Sequence, residues 1–299
     1  MTAPCAHLAV DCCNELGEMP NWEPRSETLY WIDVIKPGRV FYWDTRTRLV
    51  NFWQFDDLIC GLAVYGNGDL VLAASNEVFR FDPGSGERTS LYRLRREGER
   101  FNDDRCDAAG RYWIGSMADN ISDEGQPLPI TTRVGALHRI SADGTMARWD
   151  QGFGCPNAIS WNPAGDLMYV ADSSDGALYV FAYDKVGGVL SDRRLFCRLP
   201  DLGIPDGAAV DQDGFIWNAR WGAGVIARIS PQGALDTLIY LPVSQPTACA
   251  FGGPDLRTLY ITSARLGLSA AELAAQPLAG GVFTIEVNVP GLAHGTFGP

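Results

Sequence analysis

Residues 159–170 read ISWNPAGDLMYV: an apolar strand, a turn rich in Asn, Pro, Gly and Asp, and a second apolar strand. This pattern of strand, turn and strand recurs along the whole chain. The second strands of its six copies are anchored at Leu29, Leu70, Tyr112, Met168, Ile216 and Leu259. Successive anchors lie 41 to 56 residues apart, close to the ~40 to 50 residues of one β-propeller blade. The repeat therefore predicts six blades.

The segments around the anchors are typical of antiparallel sheet. Asn-Gly or Asp-Gly pairs at 67–68, 143–144 and 213–214 place glycine where tight hairpins require positive φ. Further β-rich segments, such as residues 78–81 and 178–181, supply third strands. We predict an all-β fold, a six-bladed β-propeller with four-stranded antiparallel blades, occupying residues 1–299 as a single domain.

Three segments stand outside the repeat. Residues 7–10 form a strand that we expect to close the ring against the last blade, because an open sheet edge would otherwise remain. Residues 269–274 form the one helical candidate, with Ser269 as its N-cap. Residues 119–127 form a polar loop, and long loops on a rigid scaffold often carry function.

Composition excludes several classes of protein. The 299 residues carry a formal net charge of −12, whereas proteins that neutralise phosphates carry clustered Lys and Arg. We therefore expect no nucleic-acid partner. The start has no signal-peptide pattern, and no apolar stretch reaches the ~18 residues of a membrane span, so we expect no membrane partner and a cytoplasmic protein. The eight scattered cysteines are interpreted as reduced thiols.

Several familiar catalytic patterns are absent from the sequence. It has only three histidines and lacks a Gly-x-Ser-x-Gly elbow, a phosphate-binding loop and a Gly-x-Gly-x-x-Gly turn. This argues against a serine triad, a His-ligated metal and a nucleotide enzyme.

The first strands of propeller blades line the central channel, so residues at the same offset face one another across the axis. Counting back ten or eleven residues from each anchor gives Glu18, Cys60, Asn102, Asn157, Asp206 and Ala248. The oxygen donors of Glu18, Asn157 and Asp206, two anionic and one neutral, suit one divalent cation. The alternative is that Asn157 and Asp206 merely cap turns after proline.

Neighbouring residues suggest a substrate site beside this metal. Arg100 and Asn102 would contact the hydroxyl and carbonyl groups of a polyol-like ligand, with Asp103 bracing them; the alternative is a solvated charged loop. Asp172 ends a strand and could point toward the same end of the central channel. Asp33 occupies the corresponding spot in the first blade, so a repeated structural turn also accounts for Asp172.

The chain resembles the gluconolactonase/regucalcin (senescence marker protein) family over nearly its whole length. The resemblance rests on these motifs, in order: Leu16-Gly17-Glu18-x-Pro20-x-Trp22, Arg100-Phe101-Asn102-Asp103, Gly110-Arg111-Tyr112-Trp113-x-Gly115-x-Met117, Pro156-Asn157, and Pro205-Asp206-Gly207. It implies a six-bladed propeller and divalent-metal-dependent hydrolysis of aldonolactones.

The resemblance also implies roles for individual residues. Glu18, Asn157 and Asp206 fall on metal-ligand positions, and Arg100 and Asn102 on substrate-contact positions. Asp119 and Asn120 stand near a position where relatives carry an acidic substrate-side residue. The chain departs from the family at three positions usually held by glycine, namely Met19, Asp104 and Ala158.

These observations predict a hydrolase of cyclic esters acting on a sugar lactone such as a glucono-, xylono-, arabinono- or galactonolactone. One divalent ion (Ca, Zn, Mn or Fe) would polarise the carbonyl. Asp206 would accept the proton, with Asp172 as the second candidate. Two other functions stay open: a propeller phosphotriesterase acting on organophosphates, and a non-catalytic calcium-binding or interaction propeller.

Overall fold

A computed structural model describes residues 4–122 and 124–298. Asp123, inside the predicted polar loop, lies outside the described residues. The described chain folds into six four-stranded antiparallel sheets. In five of them the four strands are consecutive in sequence and paired in chain order. The predicted six-bladed β-propeller is thus confirmed.

The strands are numbered in chain order. They are β1 (His7–Val10), β2 (Gly17–Glu23), β3 (Thr28–Asp33), β4 (Gly38–Asp44), β5 (Leu49–Phe55), β6 (Ile59–Val64), β7 (Leu70–Ala74), β8 (Glu77–Phe81), β9 (Arg88–Arg93), β10 (Glu99–Cys106), β11 (Tyr112–Ala118), β12 (Gly135–Ile140), β13 (Met146–Phe153), β14 (Pro156–Trp161), β15 (Leu167–Asp172), β16 (Ala177–Asp184), β17 (Val189–Arg198), β18 (Ile204–Val210), β19 (Ile216–Trp221), β20 (Val225–Ile229), β21 (Leu235–Tyr240), β22 (Pro246–Gly252), β23 (Thr258–Ser263) and β24 (Val282–Glu286). A 3₁₀ helix spans Ser173–Asp175, and α1 spans Ala270–Ala275.

The N-terminal strand closes the ring. The last blade has the order β22-β23-β24-β1, and β1 runs antiparallel to β24 with His7 opposite Thr284 and Val10 opposite Val282. The strand predicted at residues 7–10 therefore supplies the outer edge of the sixth blade. This pairing joins the N-terminal strand to the last strand and removes the open edge that β24 would otherwise present.

Burial falls from the inner to the outer strand of a blade. All five residues of β7 are buried, whereas most of those of β5 and β9 are partly or fully exposed. Neighbouring blades cover both faces of a middle strand, which is why these strands read as continuous apolar runs rather than as alternating patterns. The core thus lies between blades, and it holds the inner strands rigidly around the axis.

Each first strand contains an irregularity near its beginning. The pairing register shifts between Glu18 and Asn21 and between Asn157 and Ser160, with similar shifts in the other four blades. Such bulges turn the preceding side chain away from the regular sheet direction. Because Pro246 pairs with Ser263, the sixth-blade residue at the channel position is Thr247, one residue before the predicted Ala248.

The two helical segments are short. Ser269 caps α1 and forms a reciprocal capping box with Glu272, as the predicted N-cap requires. Among the described residues, no helix has the length and apolar character needed to cross a bilayer.

Candidate metal centre and substrate site

The bulges set the direction of the candidate side chains. Glu18 and Asn157 are each the last regularly paired residue before a register shift. The residues that follow them, Met19 and Ala158, have φ of 52° and 57°, in the left-handed region that favours glycine. Asp103, which follows Asn102, has φ of 39°. Three blades therefore hold strained backbone directly after a candidate site residue, as functional sites often do.

The two candidate carboxylates influence each other. Burial raises the pKa of Glu18 well above its ordinary value, and the negative charges of Asp206 and Asp103 raise it further. Burial likewise raises the pKa of Asp206, with a further increase from Asp103. Neither Glu18 nor Asp206 forms a salt bridge with any arginine, lysine or histidine in residues 4–122 and 124–298. A nearby cation would offset the free-energy cost of burying these two negative charges close to Asp103.

A one-way series of hydrogen bonds orients the amide of Asn157. Asn102 Nδ2 donates to Asn157 Oδ1 over 2.7 Å, and Asn157 Nδ2 donates to Ser173 Oγ over 2.8 Å. The Ser173 hydroxyl donates to the carbonyl oxygen of Pro205 over 2.6 Å. Because a carbonyl can only accept, each donor direction along the series is defined. The series links three blades and ends beside Asp206.

Arg100 begins this series on the substrate side. The buried guanidinium donates from Nη1 to Asn102 Oδ1 over 3.0 Å and to the carbonyl oxygen of Phe101 over 2.8 Å. Its Nε and Nη2 donate to Asn120 Oδ1 over 3.1 Å and 2.7 Å. Since a guanidinium can only donate, it fixes the orientation of both amides that it contacts.

The structure separates Asp119 from its neighbour Asn120. Asp119 is exposed, and its Oδ1 accepts a hydrogen bond from the backbone N–H of Ile121 over 3.3 Å. The carboxylate belongs to a local turn rather than to the hydrogen bonds around Arg100. Its charge still contributes to raising the pKa of the Cys60 thiol, which burial chiefly raises, to about 11.

Asp172 is engaged in the local backbone. It is fully buried, and its oxygens accept hydrogen bonds from the backbone N–H groups of Gly154, Cys155 and Ser174 over 3.0 to 3.2 Å and from Arg133 over 2.8 Å. Asp33 accepts from the corresponding backbone groups of the first blade, those of Glu15 and Leu16. This geometry favours the repeated structural turn over a base with free lone pairs.

Asp103 and two residues of the fifth blade also hold the site. Asp103 Oδ2 accepts from the backbone N–H of Ile159 over 3.0 Å, which braces the third blade against the fourth. Asn218 Nδ2 donates to the backbone oxygen of Asp206 over 2.7 Å, and buried Arg220 donates to Asn218 Oδ1 over 3.1 Å. Sequence reasoning missed Ser173, Asn218 and Arg220. Counting forward from the second-strand anchors would have found Arg220, because it follows Ile216 by four residues as Asp172 follows Met168. The two residues also pair at equivalent positions, opposite Pro205 and Pro156.

The donor set fits a hard or borderline divalent cation. The candidate set combines two carboxylates that form no salt bridge among the described residues with one oriented amide oxygen, and oxygen donors of this kind suit such ions. In the described part of the chain, no three His, Cys, Asp or Glu side chains group as a metal site. The candidate set contains only two such groups, and its third member is the amide of Asn157.

Comparison with known proteins shows the family of this chain. Residues 16–265 match the SMP-30/gluconolactonase/LRE-like region. The chain is 36% identical to 6-deoxy-6-sulfogluconolactonase of Pseudomonas putida, covering 94% of each chain, and 34% identical to L-arabinolactonase of Azospirillum brasilense, covering 98% of this chain and 95% of that one. The crystal structure of a calcium-binding protein, regucalcin, from Agrobacterium tumefaciens covers both chains completely, with a TM-score of 0.91 and 25% identity. This protein therefore belongs to the SMP-30/gluconolactonase/LRE-like family.

Proposed function

We propose that this protein hydrolyses a sugar lactone to the aldonic acid, using one divalent metal ion held by Glu18, Asn157 and Asp206. The observations that support the proposal are the effect of Asp206 on the pKa of Glu18, two carboxylates with no salt bridge among the described residues, and the oriented amide of Asn157. Relatives named as sulfogluconolactonase and arabinolactonase support the reaction class. A bound divalent ion would supply Lewis-acid polarisation of the lactone carbonyl.

The substrate side of the site is polar and preorganised. Arg100, Asn102 and Asn120 are already joined by hydrogen bonds of 2.7 to 3.1 Å, so little side-chain reorganisation is needed on binding. Guanidinium and amide groups match the hydroxyl and carbonyl oxygens of an aldonolactone. These polar groups are poorly suited to contact the apolar body of an organophosphate triester.

Asp206 is our candidate for the proton acceptor. As a carboxylate of the proposed metal site, it would adjoin the attacking water, and carboxylates can serve as general bases. Asp206 would take a proton from the attacking water. Asp172 is disfavoured in this role because its oxygens already accept hydrogen bonds from three backbone N–H groups and from Arg133.

The test is a substrate and metal panel. The protein is stripped of metal, refilled in turn with calcium, zinc, manganese or iron(II), and assayed for proton release from pentono- and hexonolactones and for cleavage of an aryl phosphotriester. We expect lactone turnover that depends on the added ion and little cleavage of the triester. Full lactonase activity of the stripped protein in the presence of a chelator would overturn the metal assignment, and failure of every lactone with every ion would overturn the reaction class.

A further inference from the structure

A cavity lies at the end of the first strands opposite to the proposed lactone site. Its volume is about 670 Å³. We call it the basal cavity; its walls include Arg105, Trp161, Pro163, Lys185, Leu292 and His294. Arg105 follows Asn102 by three residues along β10, and Trp161 ends the strand that begins at Pro156. The basal cavity is therefore separate from the proposed lactone site.

The C-terminal segment bridges this end of the channel. The backbone N–H of Leu292 donates to the oxygen of Val210 in the fifth blade over 2.9 Å, and that of Phe297 donates to the oxygen of Val64 in the second blade over 2.8 Å. Residues 293–296 cross between these two anchors. His294 lies on this crossing, where its ring accepts a hydrogen bond from Arg105.

Arg105 is a buried cation that contacts no carboxylate among the described residues. Arg105 is only 6% exposed. Its Nη1 lies 2.8 Å from a ring nitrogen of His294, and its Nη2 lies 3.3 Å from the backbone oxygen of Ala208. Within residues 4–122 and 124–298, no carboxylate lies within ion-pair distance of it. Asp103 and Asp104 act on Arg105 only through space. The guanidinium therefore contacts only neutral acceptors among these residues, and a bound anion could form a direct ion pair with it.

The other charged groups of the basal cavity do not cancel this charge. Asp107 is saturated, because its carboxylate accepts hydrogen bonds from Arg111, Trp113 and Tyr183. Burial and the charge of Arg105 lower the pKa of His294 well below its ordinary value, so its ring is neutral. Lys185 adds a second positive charge at the exposed rim. The cavity is thus electropositive in a chain whose formal net charge is −12.

We propose that the basal cavity binds a small organic anion, with its carboxylate or phosphate group on Arg105 and its body against Trp161, Pro163 and Leu292. Guanidinium groups bind both kinds of oxyanion through charge-assisted hydrogen bonds. The cavity volume lies within the ~300 to 1,000 Å³ range of small-molecule sites, which commonly combine apolar walls with few polar groups. This site is independent of the proposed lactone hydrolysis.

Calorimetric titration of the full-length, metal-free protein tests the proposal with three probes. Benzoate and phenyl phosphate share an aromatic body and differ in the anionic group, while benzyl alcohol has the same body without charge. Two variants perturb the cavity. Arg105→Gln removes the charge, and Ala164→Trp obstructs the rim from an exposed position. Ala142→Trp, on an exposed turn of the third blade, is the matched control.

We expect at least one of the two anions to bind in a one-to-one ratio, with an affinity at least about tenfold higher than that of benzyl alcohol. Whether phenyl phosphate or benzoate binds more tightly identifies the preferred oxyanion. Arg105→Gln and Ala164→Trp should each weaken binding by about tenfold or more, and Ala142→Trp should leave it unchanged.

If Arg105→Gln does not fold, the difference in anion affinity between Ala164→Trp and Ala142→Trp tests the proposal by itself. The proposal is overturned if neither anion binds at about 10 mM, if benzyl alcohol binds as well as the anions, or if Ala164→Trp binds them as tightly as Ala142→Trp does.

Discussion

Asn102 in the third blade donates a hydrogen bond from Nδ2 to Oδ1 of Asn157 in the fourth blade, over 2.7 Å. The bond connects a proposed substrate contact to a proposed metal ligand. The same Asn102 nitrogen also donates to the backbone oxygen of Pro156 over 3.0 Å. Orientation of the proposed metal ligand therefore depends on a proposed substrate-contact residue.

Removing this amide should damage catalysis more than stability. Asn102→Leu keeps the approximate side-chain volume but leaves Arg100 Nη1 without its amide acceptor and Asn157 Oδ1 without its donor. We expect kcat/KM for the lactone to fall about 100-fold, measured on protein shown by thermal melting to be folded. Asn51→Leu, on exposed strand β5, is the control and should retain activity. Equal activity of the two variants would contradict the role of Asn102.

Ser173 should act as a positioning residue for the metal. Ser173→Ala removes the acceptor of Asn157 Nδ2 and the donor to Pro205, which frees the amide of Asn157 to rotate. We expect metal affinity to weaken about tenfold, measured by calorimetric titration of the stripped protein. Ser174→Ala, one residue later and outside this series, is the control. A purely structural role for Ser173 would lower the melting temperature and leave the affinity unchanged.

Ala158 offers a test of the backbone strain. Ala227 is also fully buried but does not have positive φ. Each change to glycine loses about 0.8 kcal/mol of methyl burial and 0.5 to 1 kcal/mol of backbone entropy. Only Ala158→Gly relieves a left-handed conformation worth about 1 to 2 kcal/mol. We expect Ala227→Gly to lower the free energy of unfolding by about 1.5 kcal/mol and Ala158→Gly by less than about 0.5 kcal/mol. Equal losses in urea titrations would contradict this account.

The blades were predictable from the sequence because each repeats the same apolar strand, turn and strand. The offset that points to Glu18, Asn157 and Asp206 was readable for the same reason, since equivalent positions of a ring face one axis. Counting residues could not locate the register shift before Cys249, so the sixth position was misplaced at Ala248 instead of Thr247.

The supporting contacts were harder to foresee. Ser173 joins Asn157 to Pro205 across 16 and 32 residues of sequence, and only the arrangement of neighbouring blades brings them together. For Asp172 and Asp33, by contrast, the sequence alone already suggested the structural role. Their matching positions at strand ends raised a structural turn as an alternative from sequence alone, and their backbone hydrogen bonds favour it.

Asp104 should make stability depend on pH. Burial raises the pKa of this carboxyl to about 8, although the hydroxyl of Tyr112 donates to it. In the unfolded chain an aspartate titrates near 4, so between about pH 4 and 8 the folded state holds the extra proton. Stability must then fall as pH rises through this window, with an upper limit of about 1.4 kcal/mol per pH unit from this group.

The comparison that isolates Asp104 uses Asp104→Asn. Other buried acids titrate in both proteins, so the difference between them is the informative quantity. We expect the free energy of unfolding of the wild type, measured in urea at fixed metal concentration, to decline more steeply between about pH 5 and 8 than that of the variant. Parallel pH profiles would show that Asp104 is ionised in the folded protein across this range.

The most direct test of the central claim is the stoichiometry of divalent-ion binding to the stripped protein, measured by calorimetry for the wild type, Glu18→Gln, Asn157→Ala and Asp206→Asn. Our account predicts one ion per chain for the wild type, binding weakened at least about tenfold in each variant, and lactone hydrolysis that follows the bound ion. An Asp206→Asn protein that binds the ion as tightly as the wild type and hydrolyses the lactone at the same rate would contradict it.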